Sequence, residues 1–151
     1  MRFTTLSAAV LVLVFGVATD ARAKAPNILF ILSDDHALEA IGAYGSWLKD
    51  YVKTPAIDRL AAEGMRFTNV CCNNSICSPS RAAIITGQYS HVSGGLNLNC
   101  SLREDAPSYS RQLRKAGYQT AVVGKWHMRH TPRGMDFYAV TKGQGSYFNP
   151  S

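Results

Sequence analysis

Three short groups of residues in this 151-residue chain have types and spacings that could do chemistry together. The first is Cys77-Ser78-Pro79-Ser80-Arg81, a nucleophile candidate followed four residues later by a cation. Proline is favoured at the first helical position, so the spacing predicts a helix that opens at Pro79, runs through Ile85 and stops at Gly87. Side chains four apart share a helix face, which sets Arg81 beneath the side chain of residue 77. The free N–H groups and positive dipole end of such a terminus favour an anion. The second group is Asp34-Asp35, with His36 after it. Adjacent carboxylates repel unless a cation offsets them, and a hard divalent ion with oxygen ligands is the natural partner; a solvated turn is the plain alternative. The third is Gly124-Lys125-Trp126-His127, where alternation sets Lys125 and His127 on one side and Trp126 on the other. Lys125 can neutralise an oxyanion, and His127 can move a proton near neutral pH. Together these residues outline a site for a sulfate or phosphate group.

Such a site needs strands that deliver the acid pair and the Lys-His pair to one edge. Residues 27–32, Asn27 to Leu32, form a continuous apolar run that predicts a strand buried on both faces and ending at Asp34. Thr54-Pro55 predicts a helix with Ile57, Leu60 and Ala61 on one side and Gly64 at its end. Met65 to Val70 reads as a further strand, and Ser93-Gly94-Gly95 as a loop. A helix is predicted over Pro107 to Ala116, and a strand over Tyr118 to Val123. Strands alternating with helices imply an α/β fold: a mostly parallel sheet with helices on both faces. In open sheets of this kind, ligands bind beyond the C-terminal ends of the strands, where all three groups fall.

The stretch Ser75-Ile76-Cys77-Ser78-Pro79-Ser80-Arg81-Ala82-Ala83-Ile84-Ile85-Thr86-Gly87 closely resembles the first signature of the type I sulfatases. Gly117-Tyr118-Gln119-Thr120-Ala121-Val122-Val123-Gly124-Lys125-Trp126-His127 matches their second signature, and Pro26 to Asp35 resembles their opening strand. The resemblance covers residues 26–150 and implies an alkaline-phosphatase-like fold. It also implies that a maturation enzyme oxidises Cys77 to formylglycine, and that Asp34, Asp35 and residue 77 bind calcium. In the family a hydroxyl of the hydrated aldehyde attacks sulfur and the alcohol leaves. Expulsion of the sulfate then regenerates the aldehyde. Arg81, Lys125 and His127 match the residues that stabilise charge and assist that hydroxyl. Asp35 to Gly45, Asn73-Asn74-Ser75-Ile76 and Gly143 to Pro150 resemble the bacterial branch acting on 6-sulfated N-acetylglucosamine and mucin. A sulfated carbohydrate, in mucin or a glycosaminoglycan, is thus the implied substrate. An arylsulfatase or another carbohydrate sulfatase is the alternative. A phosphatase or phosphonate hydrolase on this scaffold is disfavoured, because ordinary phosphatases place Ser or Thr at position 77.

Composition supplies the setting. Arg2, the apolar run from Leu6 to Ala18 and Ala21-Arg22-Ala23 read as a secretory signal over residues 1–23, leaving residues 24–151 as the sulfatase portion. The apolar run is too short for a membrane span, and no second candidate follows, so the product is expected to be exported to a bacterial periplasm or secreted. The net charge of +6 suits an acidic ligand, but the basic residues are scattered, without the runs and aromatic interleaving of nucleic-acid binders. Cys71, Cys72, Cys77 and Cys100 do not read as a disulfide framework; one bridge to Cys100 or buried thiols remain alternatives. Asn73-Asn74-Ser75 and Asn99-Cys100-Ser101 are formal glycosylation sequons, meaningful in a eukaryotic source. Family members are much longer, so the chain is expected to be the N-terminal part of a catalytic domain, inactive alone. The downstream calcium ligands, a lysine and a histidine would be missing. A non-enzymatic relative that only binds sulfated glycans is the other expectation.

Overall fold

The computed structural model describes residues 25–146 and 148, so the signal segment and Asn149-Pro150 lie outside the described residues. The chain divides after Leu32 into two units, of which residues 25–32 and residues 33–146 with 148 are described. In the first unit, the strand expected over residues 27–32 is not formed, and Ile28, Leu29, Phe30 and Ile31 are exposed. The same correction applies at Met65 to Val70 in the second unit. An apolar run becomes a strand only when a neighbour supplies ladder hydrogen bonds, and neither run makes backbone bonds of that kind among the described residues.

The second unit opens with two 3-10 turns, Leu38–Ala40 and Gly42–Tyr44, followed by helix α1, Pro55–Glu63. Pro55 sits at the start of α1 and Gly64 follows its end, as the sequence predicts. Helix α2, Cys77–Thr86, begins two residues before the expected Pro79 and ends at Gly87. The reason is that Ser80 N–H bonds the Ile76 carbonyl at 2.9 Å, which closes the first turn around Cys77. Pro79 falls in that turn, where its missing N–H leaves no helical bond unmade. A short helix α3, Ser90–Ser93, leads into the glycine loop, and helix α4, Tyr109–Lys115, is capped by the Ser108 hydroxyl accepting from Arg111 N–H.

Strand β1, Ala121–Lys125, pairs in parallel with strand β2, Phe137–Thr141, in the register Ala121↔Phe137 to Lys125↔Thr141. The predicted strand at Tyr118 to Val123 is thus displaced toward Lys125. Parallel strands cannot be joined by a tight hairpin, and here the register is fixed at its start by polar bonds. Thr120 N–H and Oγ1 donate to Asp136 Oδ2 at 2.8 and 3.0 Å, and Phe137 N–H bonds the Thr120 carbonyl at 3.1 Å. The Asp136 carboxylate also pairs with Arg114 of α4 at 2.9 Å.

The core joins α2 to the end of β1. Ala82, Ile85, Cys100, Leu102, Trp126 and Met128 are buried together, with Ala106, Val122 and Val140 packed against them. Gly95 lets the loop after α3 press onto α2, because a Cβ there would lie 2.7 Å from that of Ala82. Cys100 is a buried free thiol, and Cys71 and Cys72 are exposed free thiols.

Candidate functional site

Four of the expected residues meet at the N-terminal turn of α2. Asp34 Oδ2 receives Arg81 Nη2 at 2.7 Å and Lys125 Nζ at 3.0 Å. The Cys77 thiol lies 3.8 Å from Asp34 Oδ1, and Lys125 Nζ donates toward its sulfur at 3.5 Å. Arg81 reaches this point because it lies one turn below Cys77, and its side chain is only 13% exposed. Its Nη1 also donates to the Lys125 carbonyl at 2.5 Å, tying α2 to the end of β1. Gly124, at φ +107, supplies a backbone that other residues rarely adopt just where β1 delivers Lys125.

Trp126 turns into the core at 5% exposure, while Lys125 faces Asp34 and Cys77, as alternation requires. His127 stands beyond it with φ +52, and Asp35 has φ +49. Positive φ is uncommon outside glycine, and such backbones gather at functional positions. The Nδ1 of His127 and the Nε of Arg81 are buried without hydrogen-bond partners among the described residues.

The charges act on one another. Hydrogen bonds from Arg81 and then Lys125 hold the Asp34 carboxyl below its usual range, against a smaller opposing effect of burial. Burial pulls the Lys125 ammonium down, but its bonds to Asp34 and Cys77 outweigh that and leave it raised. Burial, then the cations of Lys125 and Arg81, push His127 below the usual imidazole value; Asp34 opposes them in part. Burial and the two cations thus favour the neutral form of the imidazole.

Asp35 is less engaged than Asp34: it joins none of the ion pairs among the described residues. Among those residues no three His, Cys, Asp or Glu side chains are gathered closely enough to hold a metal ion. The donor set fits a hard cation in part, with Asp34 aimed at residue 77 and Asp35 next to it, while Arg81 and Lys125 occupy Asp34 Oδ2. His36 is exposed, His91 stacks on Tyr89, and His130 packs edge-on against Trp126.

Two features were not read from the sequence. Ser78 is fully buried and its hydroxyl donates to the His127 carbonyl at 2.6 Å. Strand β2 is the other; its aromatic and β-branched run Phe137-Tyr138-Ala139-Val140-Thr141 was the signal. Near the nucleophile, Asn74 Oδ1 accepts from Ile76 N–H at 3.1 Å and Asn73 Oδ1 from Ser90 N–H at 3.3 Å, which shapes the approach to α2.

Comparison with known proteins places this arrangement in a class. The sulfatase family model matches residues 26–150, and the chain belongs to that family. Its fold is the alkaline-phosphatase-like fold of sulfatases, here in helices and a parallel strand pair. An N-acetylglucosamine-6-O-sulfatase of Bacteroides thetaiotaomicron is 41% identical over 130 residues, 84% of this chain and 23% of that protein. A human N-acetylgalactosamine-6-sulfatase is 34% identical over 149 residues, 88% of this chain and 27% of that protein. The solved structure of BT4656 in complex with its substrate D-glucosamine-2-N,6-O-disulfate superposes with a TM-score of 0.78 at 41% identity, covering 83% of this chain and 25% of that one. The chain thus spans about a quarter of the length of the relatives it matches.

Proposed function

We propose that this chain carries the nucleophile side of a sulfuric ester hydrolase site whose substrate is a sulfated carbohydrate, in particular a 6-sulfated N-acetylglucosamine. The observation that carries the reading is the convergence of Arg81 and Lys125 on Asp34 beside Cys77, at the N-terminus of a ten-residue helix. Two cations and the free N–H groups of the first turn favour a tetrahedral oxyanion and stabilise charge that grows on it during transfer. His127, whose neutral form its surroundings favour, would take a proton from a hydroxyl at residue 77. Formylglycine made from Cys77 by a maturation enzyme would supply the nucleophile. Calcium held by Asp34, Asp35 and that side chain would supply Lewis-acid stabilisation of the sulfate oxygens. The activity of the Bacteroides relative and the 6-O-sulfated glucosamine bound to BT4656 support this choice of substrate. The leader-like residues 1–23 add export, to a periplasm or beyond. Among the described residues no helix is long and apolar enough to cross a membrane.

The test grafts residues 25–146 into the matching region of the Bacteroides enzyme, expressed with a formylglycine-generating enzyme. Release of sulfate from 6-sulfated N-acetylglucosamine is expected, together with loss of the cysteine mass in the peptide containing Cys77. In that graft Cys77→Ser should reduce turnover to background. Undiminished hydrolysis by the Cys77→Ser graft would sink the proposal. A clear preference for a simple aryl sulfate would move the substrate to the arylsulfatase class.

A further inference from the structure

We propose that Ser78 is the positioning residue that fixes His127 relative to Cys77. It deepens the site reading above, since His127 is the proton carrier of that reading. Ser78 is 0% exposed, yet its side chain ends in a hydroxyl, which in an apolar interior needs a partner. That partner is the His127 carbonyl at 2.6 Å, with the Leu98 carbonyl at 3.3 Å as a weaker second acceptor for the same proton.

The geometry of the grip is specific. Ser78 and Arg81 are three apart and so share one face of α2. The carbonyls they hold belong to Lys125, the last residue of β1, and to His127, two residues further on. One helix face therefore clamps two points of the segment that carries the lysine and the imidazole. The clamp meets the chain where the backbone is least relaxed, since His127 has φ +52. Without the hydroxyl the half-buried carbonyl of His127 loses this donor, and the residue is freed to move toward a commoner backbone conformation. Because Cys77 and Ser78 are neighbours, the clamp ties the backbone of His127 to the residue next to the nucleophile.

The imidazole signals of His127 in the full chain, read by NMR, decide the matter. Ser78→Ala is expected to displace the His127 signals while those of His91 and His36 stay in place and the protein remains folded. Ser78→Thr, which keeps the hydroxyl, should restore them. Unmoved His127 signals in a folded Ser78→Ala protein would overturn the assignment. Should Ser78→Ala not fold, a folded Ser78→Thr protein with native His127 signals sustains it, and displaced signals overturn it. In the unsubstituted chain, deuteration of the Ser78 hydroxyl should shift the His127 carbonyl carbon, and an absent shift also counts against it. In the graft enzyme Ser78→Ala should lower kcat about tenfold with KM within about twofold, the pattern of a misplaced group rather than of lost binding. If the graft with native Ser78 has no turnover, the sulfatase reading fails. The NMR result still decides the role of Ser78.

Discussion

Helices α1 and α2 solve the same problem by opposite means. Helix α2 buries Ser78, Pro79, Ala82, Ile85 and Thr86, so packing holds its backbone while Cys77 and Arg81 aim at Asp34. Helix α1 buries none of its residues, and Leu60, Met65 and Phe67 around it are exposed. Its surroundings are held by polar bonds: Thr54 Oγ1 accepts from Gly42 N–H at 2.9 Å and donates to Asp58 at 3.0 Å. Asp58 also accepts from Ala43 N–H at 2.6 Å, and the Arg66 guanidinium stands 5.5 Å over the Tyr44 ring. Around α1 the polar groups are used up holding the backbone. Around α2 Ser78 and Arg81 hold the end of β1 and the residues just after it, while Cys77 and the other end of the Arg81 guanidinium face Asp34.

The contrast can be broken or sharpened by substitution. Trp126→Ala removes the largest side chain of the core behind the site and should cost about 3–5 kcal/mol in denaturant unfolding. A loss below about 1 kcal/mol would mean that packing does not support the site end. Asp136→Asn should have a smaller and pH-dependent effect. Thr120 N–H, then the Thr120 hydroxyl and Arg114, hold the Asp136 carboxyl below its ordinary value of 3.8. A depressed carboxyl stabilises the fold above that ordinary value, and the contribution disappears as pH falls through the folded-state value. The gap in unfolding free energy between wild type and Asp136→Asn should therefore be full near about pH 7 and close toward about pH 2. A gap that is the same at both pH values would remove the carboxylate from the account of strand register. Leu60→Ser should be the mildest, within about 0.5 kcal/mol, since Leu60 is 62% exposed; a large loss would show that α1 does rest on burial.

Much of the site was legible because its residues are fixed by local spacing. The four-residue step from Cys77 to Arg81 follows from helix geometry, and the opposite facing of Lys125 and Trp126 from the strand that ends at Lys125; the positive φ of His127 lies outside that alternation. The α4 boundaries came within two residues of the expected Pro107 to Ala116, and the Ser108 cap sets its start. What did not follow was pairing. Residues 27–32 and 65–70 have the composition of strands, but a strand is defined by its neighbour's hydrogen bonds, which composition does not contain. Phe137 to Thr141 has a similar composition and does pair, because Asp136 and Thr120 anchor its start. Ser78 was hidden for a related reason. A serine inside a helix reads as polar surface until a partner 49 residues away in sequence is known.

The bonds at Thr120 and at Ser78 also differ in how far apart along the chain their partners lie. Thr120 to Asp136 closes a loop of 16 residues, Ser78 to His127 one of 49. For a flexible chain the longer closure carries about 1 kcal/mol more entropy loss. The pair β1–β2 is a local assembly in this sense, and docking α2 onto it is the non-local step. The platform that presents Lys125 and His127 is entropically easier to build than the contact that brings Cys77 to them.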